Sequence, residues 1–133
     1  MAPGSAKAGS DVLIVEDDAI LRDLVADWLE AAGYKVRKVS NCQSALEALN
    51  SSTPVLIVSD MFMPGPCGAE AIAKLKHLAP GAALIAVSGY FKAGCGVSAH
   101  EALAAGAARA LAKPFKRHDF LRAVSELIGP PPA

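Results

Sequence analysis

The chain has 133 residues, 53% of them apolar, with 13 Lys and Arg set against 13 Asp and Glu. That length suits one domain with a real hydrophobic core, and a formal net charge of zero leaves no basic footprint for direct nucleic-acid binding or for an acidic membrane surface. No apolar run approaches the roughly 20 residues of a membrane span, and three cysteines without metal-like spacing fit a reducing cytoplasm better than a disulfide framework.

Residues 1–10, MAPGSAKAGS, lack the apolar core of a signal peptide and read as a flexible tail. Residues 12–15, VLIV, form an unbroken apolar run that predicts a strand buried on both faces, and Glu16-Asp17-Asp18 follows at once. In AILRDLVADWLEAAG the residues Leu21, Leu24, Val25, Trp28 and Leu29 recur at helical spacing, with Asp18 placed as N-cap and Gly33 as the stop. YKVRKV alternates Tyr34 and Val36 with Lys35 and Arg37, the pattern of an edge strand with one wet face. NCQSALEALNS predicts a short helix capped by Asn41.

VLIVSD repeats the opening pattern, an apolar strand ending in a carboxylate, here Asp60. MFMPGPCG is a loop, AEAIAKLKHLA a helix ended by Pro80-Gly81, and ALIAVSG a third apolar strand. After the loop YFKAGCGVS come a helix through AHEALAAG, a short strand ARALA, and Lys113-Pro114-Phe115 leading into the helix RHDFLRAVSELIG. The folded domain is expected over 11–128, with 129–133 as a Pro-rich tail and no repeats or second domain.

Five strand–helix units with apolar strands predict an α/β fold: a doubly wound five-stranded parallel sheet with helices on both faces. Ligands of such sheets bind beyond the carboxyl ends of the strands. Reading those ends in order gives Glu16 and Asp17, then Asp60, Ser88 and Lys113. Two unit charges about 4 Å apart repel by roughly 4 kcal/mol at an effective dielectric of 20, so three clustered carboxylates need a proton or a hard cation. Magnesium suits them, because Mg²⁺ is commonly held by a few carboxylates together with phosphate oxygens, and a nearby ammonium and hydroxyl fit a phosphoryl group.

Several stretches, in order, carry a more specific likeness: VEDD, SDMFMPG, AVSGY, AAGA and AKPF. Over residues 11–128 the chain resembles a response-regulator receiver domain of two-component signal transduction. The resemblance implies a flavodoxin-like strand order 2-1-3-4-5 and makes Asp60 the phosphoacceptor for a histidine-kinase phosphohistidine. It implies a magnesium site of Asp17 and Asp60, with Glu16 through water and the backbone carbonyl of Phe62. It pairs Lys113 with the acyl phosphate, gives the Ser88 hydroxyl to a phosphoryl oxygen, and implies a cis peptide at Lys113-Pro114. The expected partners are a sensor histidine kinase or histidine phosphotransfer protein and a downstream protein, with no nucleic acid or membrane. The product is an aspartyl phosphate, and the chain is a signalling phosphoprotein that acts only on its own phosphorylation state.

The pattern is broken in the switch region of Ser88, Tyr90 and Ala110. Most members carry Tyr or Phe where this chain has Ala110, and the stretch from Ser88 to Lys113 is longer than the family's, through the glycine-rich FKAGCGVS. Residues 90–98 are therefore expected to rearrange in place of an aromatic rotamer, and Phe62 and Tyr90 to hinder the hydrolytic water. The alternative is a pseudo-receiver that binds protein without phosphorylation. A haloacid-dehalogenase-type phosphatase needs a second Asp where Phe62 stands, and a flavodoxin would not bind phosphate with EDDA after its first strand.

Other conspicuous residues have plain readings. His77, His100 and His118 lie on three separate helices and read as solvated; Met61 and Met63 read as packing residues. Cys42 reads as a small buried hydrophobe, and Cys95, in KAGCGV, as exposed. An Ala-rich fourth helix and Arg117, Asp119 and Arg122 on the fifth fit a phosphorylation-dependent homodimer face and a solvated surface equally.

Overall fold

The computed structural model describes residues 11–61, 69–88 and 99–130. Strands β1 (Asp11–Val15), β2 (Lys35–Val39), β3 (Leu56–Asp60), β4 (Ala83–Ser88) and β5 (Arg109–Ala112) alternate with helices α1 (Ala19–Ala32), α2 (Cys42–Ser51), α3 (Ala69–Leu78), α4 (Ala99–Ala105) and α5 (Arg117–Ile128). The strands form one sheet in the order β2-β1-β3-β4-β5, and every pairing is parallel. The predicted doubly wound α/β architecture and its strand order are those observed.

The unbroken apolar runs are explained by two cores, one on each face. Leu13 and Val15 of β1 pack with Ile57, Leu84 and the α2, α3 and α4 residues Ala45, Ile72, Leu75 and Ala102. Val12 and Ile14 point the other way, onto Leu56, Val58, Ile85 and the α1 and α5 residues Val25, Leu29, Phe120 and Val124. Side chains alternate across a strand, so a strand covered on both faces has no polar register to offer.

Helix ends follow their capping residues. The Asp18 carboxylate accepts from the backbone N–H of Ile20 and Leu21 and caps α1, which Gly33 ends in the left-handed region at φ 109°. Asn41 Oδ1 accepts from Ser44 N at 2.7 Å and caps α2. Replacing Asn41 by Ala is expected to lower stability by about 1 kcal/mol, and Asn41→Ser to recover most of it, as read from urea unfolding. Gly106, of the AAGA stretch, has φ +127°, and a Cβ there would lie 3.1 Å from Lys76 Cγ. Any side chain at that turn meets both backbone strain and a neighbour.

Two expectations are modified. Arg37, placed on the wet face of β2, is half-buried: its guanidinium binds both Asp11 carboxylate oxygens and the carbonyls of Ala48 and Ser52. The planar fork reaches two carbonyls at the end of α2, Ala48 O (which also accepts from Ser52 N) and Ser52 O, which a solvated lysine would not do so well. Leu24 shares the helical spacing of the core residues yet is 44% exposed, while Ala26 is buried in its place. Leu24 instead borders a surface groove with Ile20.

Candidate functional site

The carboxyl ends of the strands are fastened to one another beyond the regular ladder. Glu16 N donates to Val39 O, Met61 N to Val87 O at 2.9 Å, and Lys113 N to Ser88 O at 3.0 Å. These bonds extend three of the four parallel pairings by a step and fix the backbones that carry Glu16, Asp60, Ser88 and Lys113. The register places Asp60 opposite Val87 and Ser88 opposite Ala112, immediately before Lys113.

Four of the strand-end side chains, those of Glu16, Asp17, Asp60 and Lys113, come together. Glu16, Asp60 and Ser88 are each at most 5% exposed, and Asp17 is exposed. One carboxylate oxygen from each of Glu16, Asp17 and Asp60 lies within 4.8 Å of the others. Lys113 Nζ stands 3.1 Å from Glu16 Oε1 and 3.1 Å from Asp60 Oδ2. The second oxygen of Glu16, Oε2, accepts from Asp18 N at 3.1 Å. Asp18 itself serves α1 as a cap, as expected.

Burial holds the Glu16 carboxyl well above its ordinary 4.5, up to about 7, helped by hydrogen bonding with the Asp60 carboxyl and by that group's charge; the Asp18 N–H and Lys113 work against the rise. At Lys113 burial pulls the ammonium down, but Asp60 and Glu16 outweigh it and the net shift is upward. The pocket thus holds more negative charge than one ammonium neutralises. Oxygen donors of this number and spacing, one of them solvent-facing, fit a small hard cation reached directly or through water.

The peptide bond before Pro114 is cis. Ala110 lies on β5 opposite Ala86 and is half-buried, with no aromatic group at that point of the sheet. Phe62, Tyr90, Met63, Cys67, Cys95 and the loop 90–98 lie outside the described residues, as does the side chain of His100. Met61 and Cys42 are buried packing residues, and burial pushes the Cys42 thiol up. His77 and His118 are exposed; His118 lies 2.8 Å from Arg122.

One residue of the site escaped sequence reasoning. Arg22 NH1 donates to the backbone carbonyl of Glu16 at 3.0 Å and so steadies the turn between β1 and α1. Its only signal in the sequence is a position one turn into α1 on the polar side, where a solvated arginine would look the same.

The family model for the response regulator receiver domain matches residues 12–125. The chain is 31% identical over 120 residues to chemotaxis protein CheY of Thermotoga maritima, covering 90% of this chain and 98% of that protein. It is 32% identical over 114 residues to response regulator protein FleR of Pseudomonas aeruginosa, covering 86% of this chain but 24% of that one. The chain thus spans nearly all of some relatives and about a quarter of others. Among solved structures, a receiver domain protein from Methanospirillum hungatei superposes with a TM-score of 0.79 at 29% identity, covering 88% of this chain and 91% of that one. A response regulator from Burkholderia pseudomallei, with a phosphorylated aspartic acid, calcium ion and citrate, gives 0.76 at 28% identity, covering 86% and 66%. Among the described residues no helix is long and apolar enough to cross a membrane. With its strand order and its strand-end carboxylates and lysine, this chain belongs to the response regulator receiver domains, the signalling modules of two-component systems.

Proposed function

We propose that the chain is a Mg²⁺-dependent phosphoacceptor in which Asp60 takes a phosphoryl group from the phosphohistidine of a histidine kinase or histidine phosphotransfer protein and thereby changes its affinity for a downstream protein. The observation that carries this reading is the convergence of Glu16, Asp17, Asp60 and Lys113 at one strand-end pocket. It is supported by the similar Burkholderia pseudomallei structure, which holds both a phosphorylated aspartic acid and a calcium ion.

Asp17 and Asp60 would hold the cation directly, Glu16 through water, and the Phe62 carbonyl would add an oxygen, as the resemblance implies. Bound there, the cation supplies charge neutralisation between the carboxylates and the incoming phosphoryl oxygens. An Asp60 carboxylate oxygen attacks phosphorus; the new O–P bond forms as the N–P bond breaks, and the imidazole nitrogen leaves with the electron pair. Lys113, already on Asp60 Oδ2, follows the charge onto the transferred group. The buried Ser88 hydroxyl would donate to a phosphoryl oxygen, as the resemblance implies. The strand-end backbones are locked by the ladder, so these groups meet the phosphoryl group with little reorganisation.

The test is intact mass after incubation with acetyl phosphate. One phosphoryl group is expected with Mg²⁺, none in EDTA, and none in Asp60→Asn. Full uptake by Asp60→Asn would move the acceptor elsewhere. No uptake by the wild type from acetyl phosphate or from a phosphohistidine protein would leave a phosphorylation-independent binding module.

A further inference from the structure

We infer that Arg22 is a positioning residue for the cation site. By holding the backbone on either side of Asp17 it sets the rigidity of the carboxylate set, and with it the preference for Mg²⁺ over the more tolerant Ca²⁺. The inference rests on the metal site of the proposed function and concerns how this chain builds it.

β1 ends at Val15 and α1 begins at Ala19, so Glu16, Asp17 and Asp18 cross the gap between them. Two of the three groups that could hold a metal, Glu16 and Asp17, lie in that turn. Glu16 is buried, and its carboxylate is tied to Lys113 and to Asp18 N. Asp17 is exposed and takes part in neither ion pair of the pocket. Its carboxylate is therefore placed by the backbone that carries it.

Arg22 grips that backbone on both sides. Its NH1 donates to Glu16 O at 3.0 Å, and its own N–H donates to Asp18 O at 2.8 Å. The second bond is the first of α1, and almost any helical residue would make it. The first needs a long side chain that ends in a donor. Because a peptide group is planar, holding Glu16 O also holds Asp17 N and the start of that residue.

Mg²⁺ demands near-ideal octahedral geometry, whereas Ca²⁺ accepts longer and irregular contacts. A turn that wanders therefore costs Mg²⁺ more than Ca²⁺. The guanidinium charge opposes both ions nearly equally, because both are divalent. The ratio of the two affinities thus reports geometry and cancels charge.

Mg²⁺ and Ca²⁺ would each be titrated into the full-length wild-type protein, Arg22→Met and Arg22→Lys, by calorimetry and by amide NMR shifts. In Arg22→Met the Mg²⁺-to-Ca²⁺ affinity ratio is expected to fall roughly tenfold, in line with the loss of a group that orients a metal ligand. The lost contact is a single hydrogen bond, so the ammonium of Arg22→Lys is expected to keep the ratio within about threefold of wild type. A purely structural role would lower stability in urea and leave the ratio where it was. Should Arg22→Met fail to melt cooperatively, Arg22→Gln replaces it.

An unchanged ratio in the folded donor-free variant overturns the inference. A ratio in Arg22→Lys as low as in Arg22→Met also overturns it, because the bond to Glu16 O would not be what matters. Absence of Mg²⁺ binding in the wild type overturns it together with the proposed metal site. The expected ratios in a protein that takes no phosphoryl group would support the inference and overturn phosphoryl transfer alone.

Discussion

Phe120→Ala is expected to cost about 3–5 kcal/mol, a large share of the roughly 5–15 kcal/mol that holds a domain of this size together. Phe120 is fully buried on α5, its ring 5.5 Å from Phe115 and 6.1 Å from Trp28 between centroids. Truncation removes the transfer energy of the ring, and the cavity it leaves borders β-strand residues that are themselves fully packed. The neighbouring Val12, Ile14 and Ile85 side chains are at most 1% exposed and anchored in the middle of the sheet, so the site has little room to collapse. Phe120→Leu, which keeps most of the apolar volume, is expected to cost less than half as much. Urea unfolding at constant m-value is the measurement; a cost under about 1 kcal/mol would mean that the aromatic cluster is loosely packed. The variant also bears on function. Phe115 loses the surface it stacks on, so if the chain takes a phosphoryl group as proposed, uptake below the melting temperature is the functional readout to compare.

The second large effect is a pH dependence centred on Glu16. Its carboxyl titrates at about 7 in the folded protein against an ordinary 4.5, chiefly because it is buried. A carboxyl with a raised folded-state pKa takes up a proton on folding. Its stabilising contribution is complete below 4.5 and is lost as the pH rises through about 7. Glu16→Gln carries no such proton and is insensitive to that rise. In EDTA the variant is therefore expected to match the wild type near about pH 5 and to exceed it by roughly 1–3 kcal/mol near about pH 8. Chemical denaturation of both proteins across this range reads the difference directly. A stability difference that stays flat with pH would show that Lys113 fully offsets the burial of this carboxylate. With Mg²⁺ present the advantage of Glu16→Gln is expected to shrink, because the cation offsets the ionised pocket of the wild type and not that of the variant.

Much of this molecule was legible before any coordinates. Apolar runs such as VLIV and ALIAVS specify buried strands, since a strand covered on both faces has no polar register, and amphipathic spacing separates them into right-handed crossovers. Local chemistry was equally readable. Asp18 and Asn41 are caps because their short side chains reach the first free N–H groups of a helix, and Gly33 ends α1 because only a glycine enters the left-handed region cheaply. The identities of Glu16, Asp17, Asp60, Ser88 and Lys113 as strand-end residues also follow from the sequence, because a parallel sheet delivers its carboxyl ends to one rim.

The tertiary structure decided what these residues do to one another. That Lys113 bridges Glu16 and Asp60, that the Glu16 carboxyl is pushed to about 7, and that Asp17 stays in solvent all depend on distances and burial across strands remote in sequence. Arg37 looked solvated and is instead a fork gripping Asp11 and the end of α2, and Arg22 looked solvated and holds the Glu16 carbonyl. Helical spacing put Leu24 with the core, but in the folded chain it is 44% exposed and lines a groove. Periodicity reports which residues share a side of an element; what that side meets is set by the packing of the other elements.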